Sequence, residues 1–342
     1  MIFSLAILFL LLLYGMRFGR SKAFGSHLAK ERTNSVKGFF ILVVFLSHIK
    51  QYILSAGYEY HTLGDMAFRK FMLFTGQLMV VMFLFYSGYG VMESIKNKKE
   101  AYIKSIPRHR ILNTLVNFDV AVCIFLLVSI IIGNRPTVPQ FLLSLVAWDS
   151  MGNSNWYIFA ILICYITTWL TASLFKRPAG IAISSFLILS VAAVALSSVK
   201  ETYWYNTLWA YPSGMFLSVY RKETEELLDR HYLSALLILS LCFVAFFFIP
   251  SEMAGFRTNA QSIFFAMLTV TITMRVRIGN PVLQWCGENL FPLYIYQRIP
   301  MIILAVTLPA WMIAERPFIY IMMCLTVSVL ICMGYRFINI KL

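Results

Sequence analysis

The chain has 342 residues, of which 60% are hydrophobic and 13% charged, and its mean hydropathy is +0.75. That composition excludes a soluble domain of this size and fits a polytopic membrane protein with little mass outside the bilayer. The formal net charge of +14 does not point to nucleic acid, because the basic residues sit in short clusters between apolar runs, the pattern of a positive-inside bias.

Apolar runs near spanning length fall at about 1–16, 36–54, 71–92, 112–132, 155–175, 180–199, 203–220, 231–250, 259–274, 289–308 and 316–335. They predict an all-α, polytopic integral membrane bundle of roughly eleven helices. Residues 1–33 read as an amino-terminal membrane helix and a basic loop, and 34–342 as the main membrane domain. The first run has neither a basic start nor a small-residue cleavage site, so a retained helix is expected there, not a signal peptide. One set of alternate loops holds Arg17, Arg20, Lys22, Lys30 and Arg32, then Lys96 to Arg110, Lys176 and Arg177, Arg221 to Arg230, Arg275 and Arg277, and finally Arg336 and Lys341. The other set holds only Lys50, Arg69, Lys70, Arg135, Lys200, Arg257 and Arg316. This bias places the amino terminus outside, the carboxyl terminus in the cytosol, and Lys37 at the cytosolic face of the membrane.

The run over 36–54 begins at Lys37 and carries His48 eleven residues on. Eleven residues make about three helical turns, so both side chains lie near one face, roughly 16 Å apart along the axis. A lysine at the mouth and a histidine at depth suit a path lined by a cation and a base, and ionisable groups within a bilayer default to function. The competing reading has Lys37 snorkelling to the headgroups and His48 bridging two helices.

Phe83-Leu-Phe-Tyr86-Ser87-Gly88-Tyr89-Gly90 follows, where small residues let helices approach closely. Lys96 to Arg110 closes in Arg108, His109 and Arg110. These cations fix orientation and meet anionic lipid, or cradle an anion, since a guanidinium offers bidentate bonds to phosphate. Pro136 and Pro139 open a loop to Asn155 whose apolar piece, Phe141 to Trp148, is too short to span. Asn155-Trp156-Tyr157 begins the next run, either as an interfacial anchor or as a surface for stacking a sugar. Arg221 to Arg230 reads as a solvated helical connector. Gly287-Glu288-Asn289 leads through Tyr294, Tyr296 and Gln297 to Arg298. Arg298 and Asp119 each lie roughly 10–14 Å inside their runs by helical rise, and a buried ion pair between them is expected because either charge alone is costly.

In this order the stretches resemble the membrane-bound acyltransferase-3 family of integral membrane O-acyltransferases. Lys37, ten intervening residues and His48, with Gly38 after the lysine, are similar to its first motif. The phenylalanine-rich run closing in Ser87-Gly88 is similar to its second, with Tyr89 where phenylalanine is usual. Lys96–Arg110 matches its arginine-rich stretch, Trp156 its Trp-centred motif, and 287–298 its last, with Gln297 where a histidine is common. The resemblance implies a ten-helix core to which 1–16 is added, and His48 as the only catalytic imidazole. It further implies acyl-CoA, acetyl-CoA first, as a donor substrate with no permanently bound cofactor, held by Lys37, Arg108 and Arg110. A glycan or glycolipid acceptor would meet Ser87, Trp156, Tyr294 and Gln297, with membrane lipid around the bundle. The six cysteines lie in or beside apolar runs without close pairs, so neither disulfides nor a metal site is expected. The rival class is a transporter relaying protons or substrate through His48, Asp119 and Arg298, although no related halves are visible.

Overall fold

The computed structural model describes residues 1–20 and 26–340, with Arg336 as backbone only; Lys22 and Lys341 of the basic clusters lie outside the described residues. α1 (Ile2–Leu13) packs on α2 (Lys30–Ser55) and α3 (Leu63–Thr75). α3 starts at a capping box, in which the Asp65 amide donates to Thr62 Oγ1 and the Thr62 amide donates to the Asp65 carboxylate at 3.2 Å. Left-handed Gly76 (φ 39°) ends it, and α4 (Val81–Ile106) follows, itself broken at Lys99 (φ 48°). A π-helical turn over Pro107–Leu112 leads into α5 (Asn113–Ile131). The chain continues through α6 (Val138–Leu145), α7 (Trp156–Leu174), α8 (Pro178–Ser197), α9 (Ala210–Val219), α10 (Arg221–Arg230) and α11 (Tyr232–Ala245). It ends with α12 (Ala254–Arg275), α13 (Pro281–Glu288), α14 (Leu290–Tyr296), α15 (Arg298–Thr307), α16 (Ala310–Glu315) and α17 (Pro317–Gly334). Two-residue strands β1 (Arg17–Phe18) and β2 (Val276–Arg277) pair antiparallel.

Every apolar run of the sequence contains helix, but the run at 203–220 is helical mainly from Ala210 on, after a 3₁₀ turn over Thr202–Trp204, and two others divide. The run at 71–92 is split between α3 and α4 by the break after Gly76, and the run at 289–308 is split between α14 and α15 at Gln297. Among the described residues, six helical stretches are long and apolar enough to cross a membrane, or seven if α10 and α11, bent by 103°, count as one. One of the six, Leu63–Ile131, is the stretch interrupted at Gly76 and Lys99. The twelve residues of α1 cover about 18 Å at helical rise, less than the roughly 30 Å hydrocarbon core. α8 shows why these helices suit lipid. Leu189 is buried on one side while Leu187, Val191 and Val194 are exposed on others, an all-round apolar surface that water would not tolerate.

The basic loops converge on one end of the bundle. Lys96 Nζ donates to the Ser218 carbonyl at 2.6 Å, Arg221 reaches Ser26 Oγ at 3.1 Å, and Arg275 meets Asp229 at 3.4 Å. At the other end, Lys200 donates to the Trp148 carbonyl at 2.8 Å and its ammonium lies 4.0 and 4.1 Å from the Trp148 and Trp204 rings.

Two close helix crossings position the interior. Gly38 of α2 lies against the Leu283 carbonyl and Gly287 of α13 against the Asn34 carbonyl, with no room for a Cβ at either. Gly88 of α4 lies in the same way against the Tyr211 carbonyl, and Gly214 of α9 against the Phe85 carbonyl. In a membrane, where apolar burial gives no preference for protein over lipid, such backbone approach is a main source of helix association.

Candidate active site

α2 carries Lys37 near its basic end and His48 three turns on, where the helix is enclosed by α14, α15 and α17. His48 Nδ1 is buried without a hydrogen-bond partner. Its ring lies 6.2 Å from that of Tyr294, tilted by 60°. The Tyr294 ring in turn meets Tyr157 edge-on at 5.1 Å, and Tyr157 adjoins Trp156 at 6.4 Å, itself 6.1 Å from Tyr203. A file of aromatic rings thus runs from the rim held by Lys200 and its tryptophans down to the imidazole. The hydroxyls of Tyr294 and Ser154 are both buried and face one another, with the Tyr157 backbone also beside Tyr294. Buried polar groups are nearly always paired, so the unpaired imidazole Nδ1 beside these hydroxyls marks a candidate place for another polar molecule.

The loop before α7 is built to deliver these groups. Asn155 Nδ2 donates to the carbonyls of Ala147 and Asp149 at 3.1 and 2.9 Å, and the Asn153 carboxamide oxygen accepts from the Met151 amide at 2.9 Å. Ala147 (φ 58°) and Gly152 (φ 102°) take the left-handed backbone that this tight path requires.

At the basic end, a cleft of about 620 Å³ is lined by Arg110, Asn113, Asn117, Glu288, Asn289 and Pro292, among others. Arg110 donates to the Tyr102 hydroxyl at 3.1 Å and stands 5.9 Å over the Tyr165 ring. Lys37 is half-buried outside this lining, with Glu288 as its opposing charge. Arg108 is exposed. Pro292, on the cleft wall, lies two residues before Tyr294, so α14 links cleft and imidazole.

The other expected residues are placed less centrally. Ser87 is paired with the Tyr165 hydroxyl at 3.0 Å, two turns along α7 from Tyr157. Gln297 is buried, but its amide turns back to donate to the Tyr294 carbonyl at 3.2 Å across the α14–α15 break. The expected Asp119–Arg298 ion pair is corrected: among the described residues neither side chain has a salt-bridge partner. Arg298 lies four residues after Tyr294 and so shares the face turned to α2, where it donates to Gln51 Oε1 at 3.2 Å. Asp119 Oδ1 is buried without a hydrogen bond. Tyr157, Ser154 and Asn117 were not singled out from the sequence; Tyr157 follows Trp156 directly, and an inward turn of 100° was the signal available for it.

A multi-pass helical membrane protein with a buried, unpaired imidazole between an aromatic rim and a cationic cleft has the makings of a group-transfer enzyme. The class is settled by comparison: a family model described as an acyltransferase domain matches residues 32–336. The chain belongs to the acyltransferase-3 family, and is a membrane acyltransferase. No match to a curated protein or to a solved structure was found.

Proposed function

We propose that the protein transfers an acetyl group from acetyl-CoA to a hydroxyl of a cell-surface glycan or glycolipid, in the plasma membrane of a bacterium. The observation that carries this reading is the unpaired His48 Nδ1, enclosed beside Tyr294 at the meeting of the two ends. An imidazole in that state is free to accept a proton from an acceptor hydroxyl as it attacks the thioester carbonyl. The C–S bond then breaks, and the leaving thiolate takes the proton back from the imidazolium. Donor phosphates fit the basic end, where Arg108, Arg110 and Lys37 supply cations. The acceptor fits the aromatic rim, where Trp156 and Tyr203 offer faces for a sugar ring. With the basic end in the cytosol, donor and acceptor approach from opposite sides of the membrane.

The test uses membranes expressing the full chain and radiolabelled acetyl-CoA, with label followed into glycan and lipid. His48→Gln should lower transfer by about 10²–10⁴-fold, the usual worth of a general base, while yield and thermal stability in detergent stay near wild type. A well-folded His48→Gln protein with full transfer would overturn the reading. Lys37→Ala should raise the KM for acetyl-CoA, and Lys37→Arg should restore it.

A further inference from the structure

Arg298 stands at the first position of α15, one turn beyond Tyr294. Its Nη2 donates to Gln51 at 3.2 Å and its guanidinium lies 5.8 Å from the Tyr52 ring centroid, while Nε is buried with no partner. Gln51 and Tyr52 follow His48 by three and four residues, so α2 presents all three to α14 and α15 on one face. Arg298 is also the charged group whose field reaches both His48 and Tyr294. No carboxylate pairs with it among the described residues. An unpaired cation within a membrane protein is expensive, and the expense is recovered where a negative charge forms beside it.

We propose that Arg298 is the oxyanion-stabilising residue of the acyl transfer, its unpaired Nε–H donating to the acyl carbonyl oxygen. The inference rests on the acyl-transfer reading above. As the acceptor oxygen bonds to the carbonyl carbon and its proton passes to His48, the C=O electron pair moves onto oxygen, where Arg298 donates to it. Collapse re-forms the C=O and breaks the C–S bond, and the thiolate takes the proton from His48. Imidazolium and guanidinium repel each other, and only the oxyanion between them makes their closeness favourable. The residue therefore acts on the transition state and not on donor binding.

Purified full-length protein is assayed with radiolabelled acetyl-CoA and membranes of the expressing cells as acceptor source. Arg298→Gln should lower kcat by about 10²–10³-fold, as loss of one oxyanion donor does, and leave the KM for acetyl-CoA unchanged. Arg298→Lys should recover part of the rate. Added methylguanidinium should restore activity to Arg298→Ala, and Gln51→Ala should stay near wild type. The proposal is overturned if Gln51→Ala reproduces the Arg298→Gln loss, if the loss lies in KM alone, or if methylguanidinium restores nothing. A His48-dependent enzyme indifferent to Arg298→Gln overturns this inference only, whereas indifference to His48→Gln overturns the reading beneath it.

Discussion

The two glycine crossings are built alike and differ in what lies beyond them. α2 meets α13 through Gly38 and Gly287, and α4 meets α9 through Gly88 and Gly214, each glycine against the partner's carbonyl. Along α4 and α9, most polar side chains find a partner on these or neighbouring helices, although the buried Tyr86 hydroxyl has none. Glu93 accepts from Ser218 at 2.7 Å and from Lys96 at 2.8 Å, Tyr89 accepts from Arg221 at 3.0 Å, and Ser87 pairs with Tyr165. In the interior beside α2, His48 Nδ1 is left without a partner, as is Arg298 Nε across from it. The same backbone device thus serves a largely paired strut in one case and an open pocket around His48 in the other. Among the described residues, an imidazole and a guanidinium nitrogen are left unpaired beside α2, whereas α4 and α9 leave only the Tyr86 hydroxyl so, and it is the kind of unpaired group that separates the working half from the supporting half.

The largest expected effect tests the shared device. Gly38→Ala and Gly88→Ala each place a Cβ onto a carbonyl of the neighbouring helix, and overpacking on that scale costs at least about 2 kcal/mol. Both variants should lose most of their folded yield and melt well below wild type in detergent. Gly90, on the same helix as Gly88, has nothing within 4 Å of where a Cβ would stand. Gly90→Ala should therefore gain roughly 0.5–1 kcal/mol from helix propensity. Equal melting of Gly88→Ala and Gly90→Ala would mean that the close crossing does not hold α4 to α9.

Much of the bundle was legible in the sequence because an apolar run bounded by charges is nearly sufficient to place a membrane helix. The breaks were not. Lys99 carries no mark of the left-handed backbone it adopts, which arises from how the chain turns between packed helices. His48 and Lys37 stood out because an ionisable residue in an apolar run is conspicuous. Tyr157 did not, because a helix that is apolar all round gives no polar face from which to read its inside. The Asp119–Arg298 pairing failed for a related reason: helical rise gives depth along an axis, while the neighbour at that depth depends on which face turns inward.

The next effect contrasts two half-buried carboxylates. Glu93→Gln removes a partner from both Lys96 and Ser218 and should cost about 1–2 kcal/mol. Asp119→Asn removes a charge whose Oδ1 has no hydrogen bond, and should leave melting unchanged or raise it slightly. Combining Asp119→Asn with Arg298→Gln should give additive shifts, as for sites that do not touch; coupling above about 0.5 kcal/mol would restore the ion pair.

Ser87 sharpens the contrast at smaller scale. Its hydrogen bond to Tyr165 makes it part of the strut, so Ser87→Ala should cost about 1 kcal/mol and change acyl transfer less than tenfold. Tyr165→Phe should cost a similar amount, and the double variant less than the sum. A loss of transfer approaching that of His48→Gln, with melting preserved, would move Ser87 into the pocket.

The smallest effect lies where the supporting half meets the loop before α2. His27 is buried there, its Nε2 3.7 Å from Glu225, which is itself bound by Arg221 at 2.7 Å. Burial holds the imidazole below its ordinary 6.5; the Glu225 carboxylate pulls upward without offsetting this, and the Arg221 and Arg32 guanidiniums add to the lowering. Just below pH 6.5, the unfolded chain therefore binds a proton that the folded chain refuses. Stability is complete above that value, falls as the pH drops through it, and levels off once the folded imidazole also takes its proton. Melting followed in detergent from about pH 7.5 to 5.5 should show this decline, and His27→Gln should flatten it. A decline that steepens in His27→Gln, or a wild-type protein that gains stability on acidification, would mean that the Glu225 contact prevails and that His27 is held charged.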